Sequence, residues 1–457
     1  MYRTNAWSKY KGNELEKLMV HNEKYKAFIS VAKTERECVT QIVQRAQKKG
    51  FVDFNEIKQK RTQLSKGDKV YHVNRGKNVI LMVIGEESME TGMRIIGTHI
   101  DSPHIDLKQN PLYENAGLGL ADTHYYGGIK KYQWVALPLA IHGVVIRKDG
   151  SSEKIVIGEH QNDPVTGITD ILWHLSEEQM EKAAGNFIDG EDLDVLLGSM
   201  PTDGKPAELV KANIIRLLGE KYKISEEDLI SAELQIVPAG SARDFGIDKS
   251  MVMAYGHDDR VCAYAALEAI LDVSECQHTN CAVFFDKEEV GNISNTGASS
   301  MYFENVIAET MAHMGTFDDL RLRRALSNSK MISGDVSPAV DPIYTMISDS
   351  KNAAYLGKGI SLNKFTGWPG KVNSNDAHPE YIAELRTLFE EQGIYYQTAE
   401  PGKVDLGAFQ TIAYVMGAYN MDVIDAGVPV LNMHAPWEIV SKADVFETYL
   451  AYKAFLC

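Results

Sequence analysis

The sequence predicts an α/β fold, in which a mixed, mostly parallel sheet is sandwiched by helices and carries a smaller, β-rich inserted domain. Three observations predict it. After residue 250, apolar runs of strand length alternate with segments of helical periodicity. The pattern changes between residues 106 and 244, and a chain of 457 residues is too long for one ordinary domain. We therefore predict a discontinuous main domain, 1–105 plus 245–457, and an inserted domain, 106–244.

The N-terminal part of the chain predicts helices followed by buried strands. Residues 13–49 carry apolar side chains at helical spacing and end at Gly50, which indicates one or two amphipathic helices. Residues 78–85 (NVILMVIG) and 94–103 (RIIGTHIDSP) contain the apolar runs of two strands. The second of these strands leads directly to His99.

The inserted segment has strands and helices of its own. Residues 133–160 indicate two strands joined at Asp149-Gly150, a dipeptide typical of hairpin turns. Helical patches follow at 176–198 and 207–230, and residues 231–240 (SAELQIVPAG) indicate another strand. These elements are enough for a separate small domain.

The C-terminal part alternates between strands and helices, as layered α/β folds do. Residues 251–256 (MVMAYG) predict a strand, and residues 257–274 predict the helix that follows it. The remaining predictions are strands in 279–286 (TNCAVFFD), 331–335 (MISGD), 394–400 (IYYQTAE) and 429–436 (PVLNMHAP), and a helix in 444–455 (DVFETYLAYKAF).

The composition argues against several classes of partner and site. With 47 basic and 63 acidic residues, the formal net charge of −16 argues against a nucleic-acid or anionic-membrane partner. The chain has neither a signal-peptide pattern nor a run of the about 18 apolar residues that span a membrane, so we expect a cytoplasmic protein. The five cysteines form no CxxC pair, which excludes a thiolate zinc knuckle and argues against a disulfide framework.

Histidines and carboxylates follow five of the predicted strands, at the strand ends where functional residues gather in such sheets. They are His99 and Asp101, then His257, Asp258 and Asp259, then Asp286, Glu288 and Glu289, then Asp335, and finally His434. Each alone has a structural explanation; the Asp258-Asp259 pair, for example, could cap a helix. Buried together, these carboxylates would be costly without cations, and imidazole and carboxylate ligands suit zinc, manganese or cobalt. We therefore predict a catalytic metal site.

The residues of these motifs and their order along the chain resemble those of a known family. THID, GHDDR, DKEEVG, ISGD and MHAPWE follow one another as in the dinuclear zinc aminopeptidases. HIDSPHIDLK, YGG, DPV and KVNS narrow the resemblance to the aspartyl aminopeptidase / aminopeptidase I family, in its bacterial aminopeptidase I-like branch. It covers the chain from about residue 90 to the C-terminus. The resemblance implies a zinc-exopeptidase fold with an inserted dimerisation domain, and a hydrolase that removes single N-terminal residues from peptides with a free N-terminus.

The resemblance also implies five protein ligands for two divalent ions, most simply Zn²⁺, with Co²⁺ or Mn²⁺ as alternatives. Asp258 would bridge the two ions. His99 and Asp335 would complete the ligands of one ion, and Glu289 and His434 those of the other.

Two further acidic residues take roles from the same resemblance. Asp101 would hydrogen-bond and orient a ligand imidazole. Glu288 would be the general base for a metal-bridging hydroxide. Neighbouring residues of an extended segment point opposite ways, so we expect Glu289 to ligate metal while Glu288 faces the water.

Substrate contact and assembly rest on two more matches. KVNS resembles the segment whose lysine faces the substrate side chain, here Lys371; a solvated loop lysine is the alternative. Residues 168–175 (ITDILWHL) resemble the stretch that reaches a neighbouring subunit's active site. His174 would stabilise the oxyanion there, or would be a core histidine on an amphipathic helix. Dimers of this family assemble into dodecamers, so we expect a large homo-oligomer.

Alternatives stay open for the substrate and the reaction. Pro338 stands where aspartyl enzymes carry a histidine, and Phe409 replaces a smaller residue. Both positions concern the pocket that reads the N-terminal side chain, so an acidic and a neutral or leucine-type preference both stay open. A small-molecule amidohydrolase or deacylase with the same dinuclear site is the alternative reaction, and a catalytically silent oligomeric shell is the alternative class.

Overall fold

The structure is a computed structural model that describes residues 4–204, 207–407 and 409–457. The described chain forms two compact units. The first unit contains the residues up to Asp101, Ala242–Met433 and Glu438–Cys457, and the second contains Ser102–Ser241 and His434–Trp437. The assignment of a catalytic and a dimerisation domain to the predicted ranges stays a prediction.

Strands and helices are numbered here in chain order over the described residues. The strands are β1 (Val52–Asp53), β2 (Lys69–Asn74), β3 (Asn78–Val83), β4 (Arg94–His99), β5 (His104–Asn115), β6 (Leu118–Tyr126), β7 (Leu139–Ile146), β8 (Ser152–Ile157), β9 (Val195–Gly198), β10 (Ala232–Pro238), β11 (Arg243–Phe245), β12 (Met251–Ala254), β13 (Asn280–Phe285), β14 (Lys330–Ser333), β15 (Ser337–Pro338), β16 (Ile360–Asn363), β17 (Tyr396–Ala399), β18 (Asp422–Gly427), β19 (Pro429–Leu431) and β20 (Glu438–Ser441). The helices are α1 (Asn13–Val31), α2 (Glu35–Lys48), α3 (Phe54–Lys60), α4 (Glu177–Met180), α5 (Leu209–Tyr222), α6 (His257–Leu271), α7 (Tyr302–His313), α8 (Asp319–Ser327), α9 (Pro379–Glu391), α10 (Ala413–Gly417) and α11 (Lys442–Leu456).

Nine of the described strands form the main sheet of the first unit, in the order β1-β2-β3-β13-β4-β14-β18-β16-β17. The central pairs β13–β4, β4–β14 and β14–β18 are parallel, as are the two outermost pairs. Antiparallel pairs join β2 to β3, β3 to β13 and β18 to β16. The predicted mixed, mostly parallel sheet is confirmed.

Helices cover both faces of this sheet. Successive side chains of a strand point to opposite faces, and those of β13 join two different hydrophobic clusters. Ala282 and Phe284 of β13 pack in one cluster with side chains of α1, α2, α6, α9 and α11. Cys281, Val283 and Phe285 pack in the other with side chains of α3, α7, α8 and α10. The predicted sandwich is confirmed, and so are two helices, α1 and α2, within residues 13–49.

The first unit contains a second sheet, which was not predicted from the sequence. It contains the described strands β11, β12, β20, β19 and β15 in that order. The predicted strands at 251–256 and 429–436 lie here as β12 and β19, and not in the main sheet. The main sheet holds instead β16 and β18, which the sequence analysis missed. In β18, Asp422 and Asp425 interrupt the apolar run and hide the strand.

The second unit is built on an antiparallel sheet with α5, and its described strands follow the order β8-β7-β10-β5-β6-β9. The hairpin predicted at Asp149-Gly150 is present as β7–β8. The long hairpin β5–β6 was not predicted, because Pro111 and a shift in register between Leu107 and Leu112 break its alternation. The prediction of helical patches in 176–198 is confirmed in part, since α4 and two 3-10 turns lie there, but the segment ends in the strand β9. Over the described residues, no helix has the length and apolar character needed to cross a membrane.

Candidate metal centre

His99 is the last residue of the buried strand β4, and its ring is held on both nitrogens. Nδ1 donates to the carbonyl oxygen of Asp101 at 3.0 Å and lies 3.3 Å from Asp101 Oδ1. Nε2 lies 3.2 Å from Asp258 Oδ1. Burial acts to lower the pKa of His99, but the hydrogen bonds with Asp101 and Asp258 raise the pKa well above its usual value. With the proton on Nδ1, Nε2 is the nitrogen that can ligate a metal.

Asp258 lies where α6 begins, and its backbone is not helical (φ −78°, ψ 108°). Its N–H donates to Glu438 Oε2 at 3.0 Å, so a buried carboxylate fixes the backbone of this aspartate. The neighbouring Arg260 donates its Nε to the carbonyl oxygen of Ile100 at 3.1 Å, which ties the start of α6 to the segment after β4.

Glu288 and Glu289 lie on a single 3-10 turn, Glu288–Val290, which follows β13. Lys287 enters the turn with left-handed backbone (φ 72°). Asp101 holds the turn, since its Oδ1 accepts the N–H of Glu288 and its Oδ2 that of Glu289, each at 3.2 Å. The expectation of an extended segment is therefore wrong. Adjacent side chains of a 3-10 turn diverge by roughly 120° rather than 180°.

Two groups of ligand atoms share Asp258, and only Glu289 among their residues is partly exposed. Nitrogen and carboxylate atoms of His99, Asp258 and Glu289 lie within 4.8 Å of one another. Carboxylate oxygens of Asp258, Asp259 and Asp335 also lie within 4.8 Å of one another. Burial raises the pKa of Asp259 and of Asp335, and the charges of neighbouring carboxylates raise it further.

These residues fit a divalent metal. The carboxylates of Asp258, Asp259 and Asp335 are all buried. In the described parts of the chain, no donor makes a hydrogen bond of good geometry to either buried oxygen of Asp259. Crowded anions of this kind are costly to bury unless cations neutralise them. The donor set of imidazole and carboxylate, without thiolate, suits zinc.

The grouping by proximity differs from the assignment that the resemblance implies. In the structure, His99 groups with Glu289, and Asp335 groups with Asp259. The resemblance instead pairs His99 with Asp335, and Glu289 with His434. Which ligand serves which ion stays a prediction, while Asp258 is shared in both schemes.

Sequence reasoning missed two residues of this region. Asp259 is among the carboxylates predicted at strand ends but was given no role as a metal ligand, although its carboxylate joins Asp258 and Asp335. Glu438 closes the MHAPWE motif, but no sequence signal indicates that its carboxylate accepts the N–H of Asp258. His257, in contrast, is a structural histidine. Its Nε2 donates to the carbonyl oxygen of Val252 at 3.1 Å and its Nδ1 lies 2.6 Å from the Tyr25 hydroxyl, and burial lowers its pKa to about 3.

His434 belongs to the second unit. Its backbone is left-handed (φ 66°), and its Nδ1 donates to the carbonyl oxygen of Gly128 at 2.8 Å. A proton on Nδ1 leaves the lone pair on Nε2, as in histidine ligands of metals. Its role as a ligand stays a prediction.

Lys371 lies on a loop of the first unit, with left-handed backbone (φ 62°). Its Nζ lies 2.9 Å from Asp376 Oδ2 and 3.9 Å from the centroid of the Phe365 ring. Residues 365–371 and 400–407 line a cavity of about 270 Å³ beside it. The role of Lys371 in substrate binding stays a prediction.

His174 lies in the second unit, on the exposed 3-10 turn Trp173–Leu175. The alternative of a core histidine on an amphipathic helix is therefore wrong. Its neighbours Trp173 and Leu175 leave 75% and 74% of their surface exposed. A role for His174 at a neighbouring subunit's site stays a prediction.

Comparison with known proteins gives one consistent result. The chain matches the family described as aminopeptidase I zinc metalloprotease (M18) over residues 28–456. A probable M18 family aminopeptidase 1 of Clostridium acetobutylicum is 55% identical over 453 residues, covering 99% of this chain and 97% of that protein. The crystal structure of an M18 family aminopeptidase from Thermotoga maritima superposes with a TM-score of 0.95 at 41% identity, covering 100% and 99% of the two chains. A dodecamer structure of mApe1 from S. cerevisiae has a TM-score of 0.76 at 21% identity, covers 96% and 97% of the chains, and shows the shared fold alone.

Proposed function

Since the chain belongs to the M18 family of aminopeptidase I zinc metalloproteases, and is therefore a metal-dependent aminopeptidase, we propose that it releases single N-terminal residues from peptides at a two-ion centre. His99, Asp258, Glu289, Asp335 and His434 would be the protein ligands. Zn²⁺ is the ion that the family description names, and Co²⁺ or Mn²⁺ could replace it in solution.

One observation carries the proposal of two ions. Asp258 is common to two groups of ligand atoms, one with His99 and Glu289 and one with Asp259 and Asp335. A single ion would leave part of this buried acidic cluster without a neutralising charge. Two ions that share Asp258 would neutralise both groups.

Bound divalent ions at such a centre lower the pKa of water towards neutrality and polarise a peptide carbonyl. The chain's own residues then have three tasks. Glu288 accepts the proton of the attacking water and passes it to the leaving amine. Asp101 fixes the His99 ring and the backbone of the Glu288–Glu289 turn at once. Glu438 fixes the backbone of Asp258.

For the N-terminal side chain of the substrate, we propose a neutral, leucine-type preference over an acidic one. The proposal takes the cavity beside Lys371 as the pocket for that side chain. Asp376, at 2.9 Å, already balances the charge of Lys371, so an acidic side chain would have to compete with it. Phe365 and Trp368 in the cavity lining add apolar surface.

For the assembly, we propose a homo-oligomer in which the second unit provides the dimer contact. The exposed apolar side chains Ile171, Leu172, Trp173 and Leu175 support a contact there. His174 would reach the centre of the neighbouring copy and donate a hydrogen bond to the developing oxyanion. Dimers would combine into a dodecamer, the assembly that the yeast mApe1 structure describes.

Hydrolysis of aminoacyl-p-nitroanilides tests the function. The panel contains Asp, Glu, Leu, Met and Lys substrates, each with added Zn²⁺, Co²⁺ or Mn²⁺. Glu288→Gln should retain its metal but lose activity by a factor of about 10² or more, since it removes the general base. The exposed Glu275→Gln is the matched control and should keep activity.

Each outcome of this experiment is decisive. Metal-dependent release that disappears only in Glu288→Gln supports the aminopeptidase, and the best substrate decides between neutral and acidic preference. No release from any substrate by the metal-loaded enzyme would refute the proposed reaction and favour the deacylase alternative. Faster release from Asp or Glu substrates than from Leu would refute the proposed preference.

A further inference from the structure

Two cysteines that the proposed chemistry does not use lie close to one another in the first unit. Cys276 is buried on the segment between α6 and β13, and Cys457 is the exposed residue that follows α11. Both are reduced thiols in the structure, as are the other three cysteines. They are far apart in the sequence, so the fold alone brings them together.

A short chain of contacts connects the Cys276 thiol to the end of the chain. The thiol donates to the carbonyl oxygen of Val83 at 3.7 Å. Val83 of β3 lies directly opposite Asn280 of β13 in their antiparallel pair. The side-chain amide of Asn280 donates at 2.6 Å to the carbonyl oxygen of Leu456, the residue before Cys457. Cys276 and the last peptide of the chain therefore contact the same pair of strand residues.

The packing and charges around Cys276 agree with these contacts. Cys276 belongs to the same hydrophobic cluster as Phe455 and Leu456 of α11. Burial raises the pKa of the Cys276 thiol, a hydrogen bond from the Asn280 N–H lowers it, and the charge of Cys457 raises it again. Because the interaction of two charges weakens with distance, this last contribution agrees with a Cys457 sulfur close to Cys276.

Cys457 is also free to adjust its position. A disulfide needs Cα atoms about 4.4–6.8 Å apart and a defined torsion about the S–S bond. Cys457 is the last residue, so its backbone is attached on one side only, where its N–H donates to the carbonyl oxygen of Lys453 at 3.1 Å. Cys281, in contrast, is fixed within β13 and packs in the cluster on the opposite face of the sheet.

We propose that Cys276 and Cys457 are a site of reversible oxidation and form a disulfide with a small-molecule disulfide as the oxidant. The exposed Cys457 thiolate attacks one sulfur of the oxidant, which releases one thiol and leaves a mixed disulfide on Cys457. The Cys276 thiolate then attacks the Cys457 sulfur and releases the second thiol. Two cysteines are oxidised, one molecule of oxidant is reduced to two thiols, and these thiols take up the two protons that the cysteines lose.

The bond would fasten two elements that carry the metal centre. It joins the segment before β13, which leads to the Glu288–Glu289 turn, to the end of α11, which packs on α6. It also closes the whole chain between residues 276 and 457 into a loop. A closed loop of this length lowers the entropy of the unfolded chain, so we expect the oxidised protein to melt at a higher temperature. The inference does not depend on the proposed function.

Oxidation of the full-length, zinc-loaded protein with glutathione disulfide tests the proposal. The reaction is run at about pH 8.5, because burial raises the pKa of both thiols. Free thiols are then alkylated, and mass spectrometry of the digested protein identifies the peptides that are joined. We expect a linked pair containing Cys276 and Cys457, which dithiothreitol separates again. The melting midpoint of the oxidised protein should exceed that of the reduced protein by about 3 °C or more.

Variants separate this disulfide from other reactions of the thiols. Cys457→Ser changes an exposed side chain, so it should keep the midpoint of the reduced wild type but lose both the linked pair and the gain on oxidation. Cys281→Ala is the matched control, because Cys281 follows Asn280 directly but faces the other way, and it should still form the linked pair. A wild type in which Cys457 retains glutathione, stays reduced or pairs with Cys457 of another copy would overturn the proposal.

Discussion

Asp258 lies in both groups of ligand atoms, and this sharing predicts how the metal centre responds to single substitutions. We expect Asp258→Asn to lower the bound zinc from about two ions per chain to none, because both ions lose a charged ligand. Asp335→Asn and Glu289→Gln should each retain about one ion, since each residue serves only one. Zinc content after dialysis against a weak chelator measures this, and hydrolysis should fall by a factor of at least about 10² in all three variants.

Two double variants decide which ligands share an ion. If His99 and Asp335 serve the same ion, His99→Ala/Asp335→Asn keeps one ion per chain and His99→Ala/Glu289→Gln keeps none. If the proximity in the structure governs instead, the two results exchange. Asp286→Asn would be a poor control, because its carboxylate accepts the Thr296 hydroxyl close to the centre. Exposed Asp319→Asn is the better one. Retention of two ions by Asp258→Asn would contradict the shared role.

At the residue scale, the sequence predicted which side chains lie close together, but it did not predict the backbone conformation and hydrogen bonds that position them. His99, Asp258, Glu289 and Asp335 follow strands or begin a helix, so strand-end reasoning brought them to one place. The conformation of Glu288 and Glu289 could not be predicted from neighbours in the chain. It depends on the carboxylate of Asp101, which is 187 residues away from Glu288 in the sequence.

At the scale of single elements, the packing of α1 on α6 and α11 contains a titratable group. His21 of α1 contacts the rings of Tyr264 at 5.1 Å, Phe446 at 5.2 Å and Tyr449 at 4.8 Å. Its Nε2 is buried and has no hydrogen-bond partner among the described residues. Burial lowers its pKa to about 3, with a smaller contribution from the charge of Lys24.

This histidine predicts a loss of stability in mild acid. The unfolded chain binds a proton at His21 near pH 6.5 and the folded chain only near pH 3, so folding free energy is lost as the pH falls through that range. Between pH 6.5 and pH 4.5, we expect the wild type to lose about 2 kcal/mol more than His21→Phe. Urea unfolding at fixed protein concentration measures the difference. Exposed His160→Phe is the control, and equal losses in wild type and His21→Phe would contradict the prediction.

The elements themselves were predictable where their pattern is regular. The helices α1, α2, α6 and α11 and the strands β3, β4 and β13 have long apolar periodicity or uninterrupted apolar runs. In contrast, β18 carries two aspartates, and Asp425 is nevertheless buried between β14 and β16. Such a strand is stabilised by burial between its neighbouring strands. The residue pattern of the strand itself carries no information about those neighbours.

At the scale of the whole molecule, the metal ligands of the first unit come from parts of the chain that are far apart. His99 ends β4, Asp258 begins α6, and Glu289 and Asp335 follow β13 and β14. Ions bound by all four would hold these elements together, and without ions the same carboxylates repel one another. Metal binding and the stability of the first unit are therefore coupled.

Chelation should reveal this coupling in the melting midpoint. We expect removal of zinc from the wild type to lower the midpoint by about 5 °C or more, because ligands that bind only the folded state add their binding free energy to folding. Asp258→Asn should show no such fall, since it has little metal to lose. Asp258→Asn should also have a higher melting midpoint than the chelated wild type, because it removes one buried negative charge that repels Asp259 and Asp335. Differential scanning calorimetry with and without chelator measures both differences. A chelated wild type that melts with the zinc-loaded protein would show that the acidic cluster does not need cations, and would remove the main support for the two-ion centre.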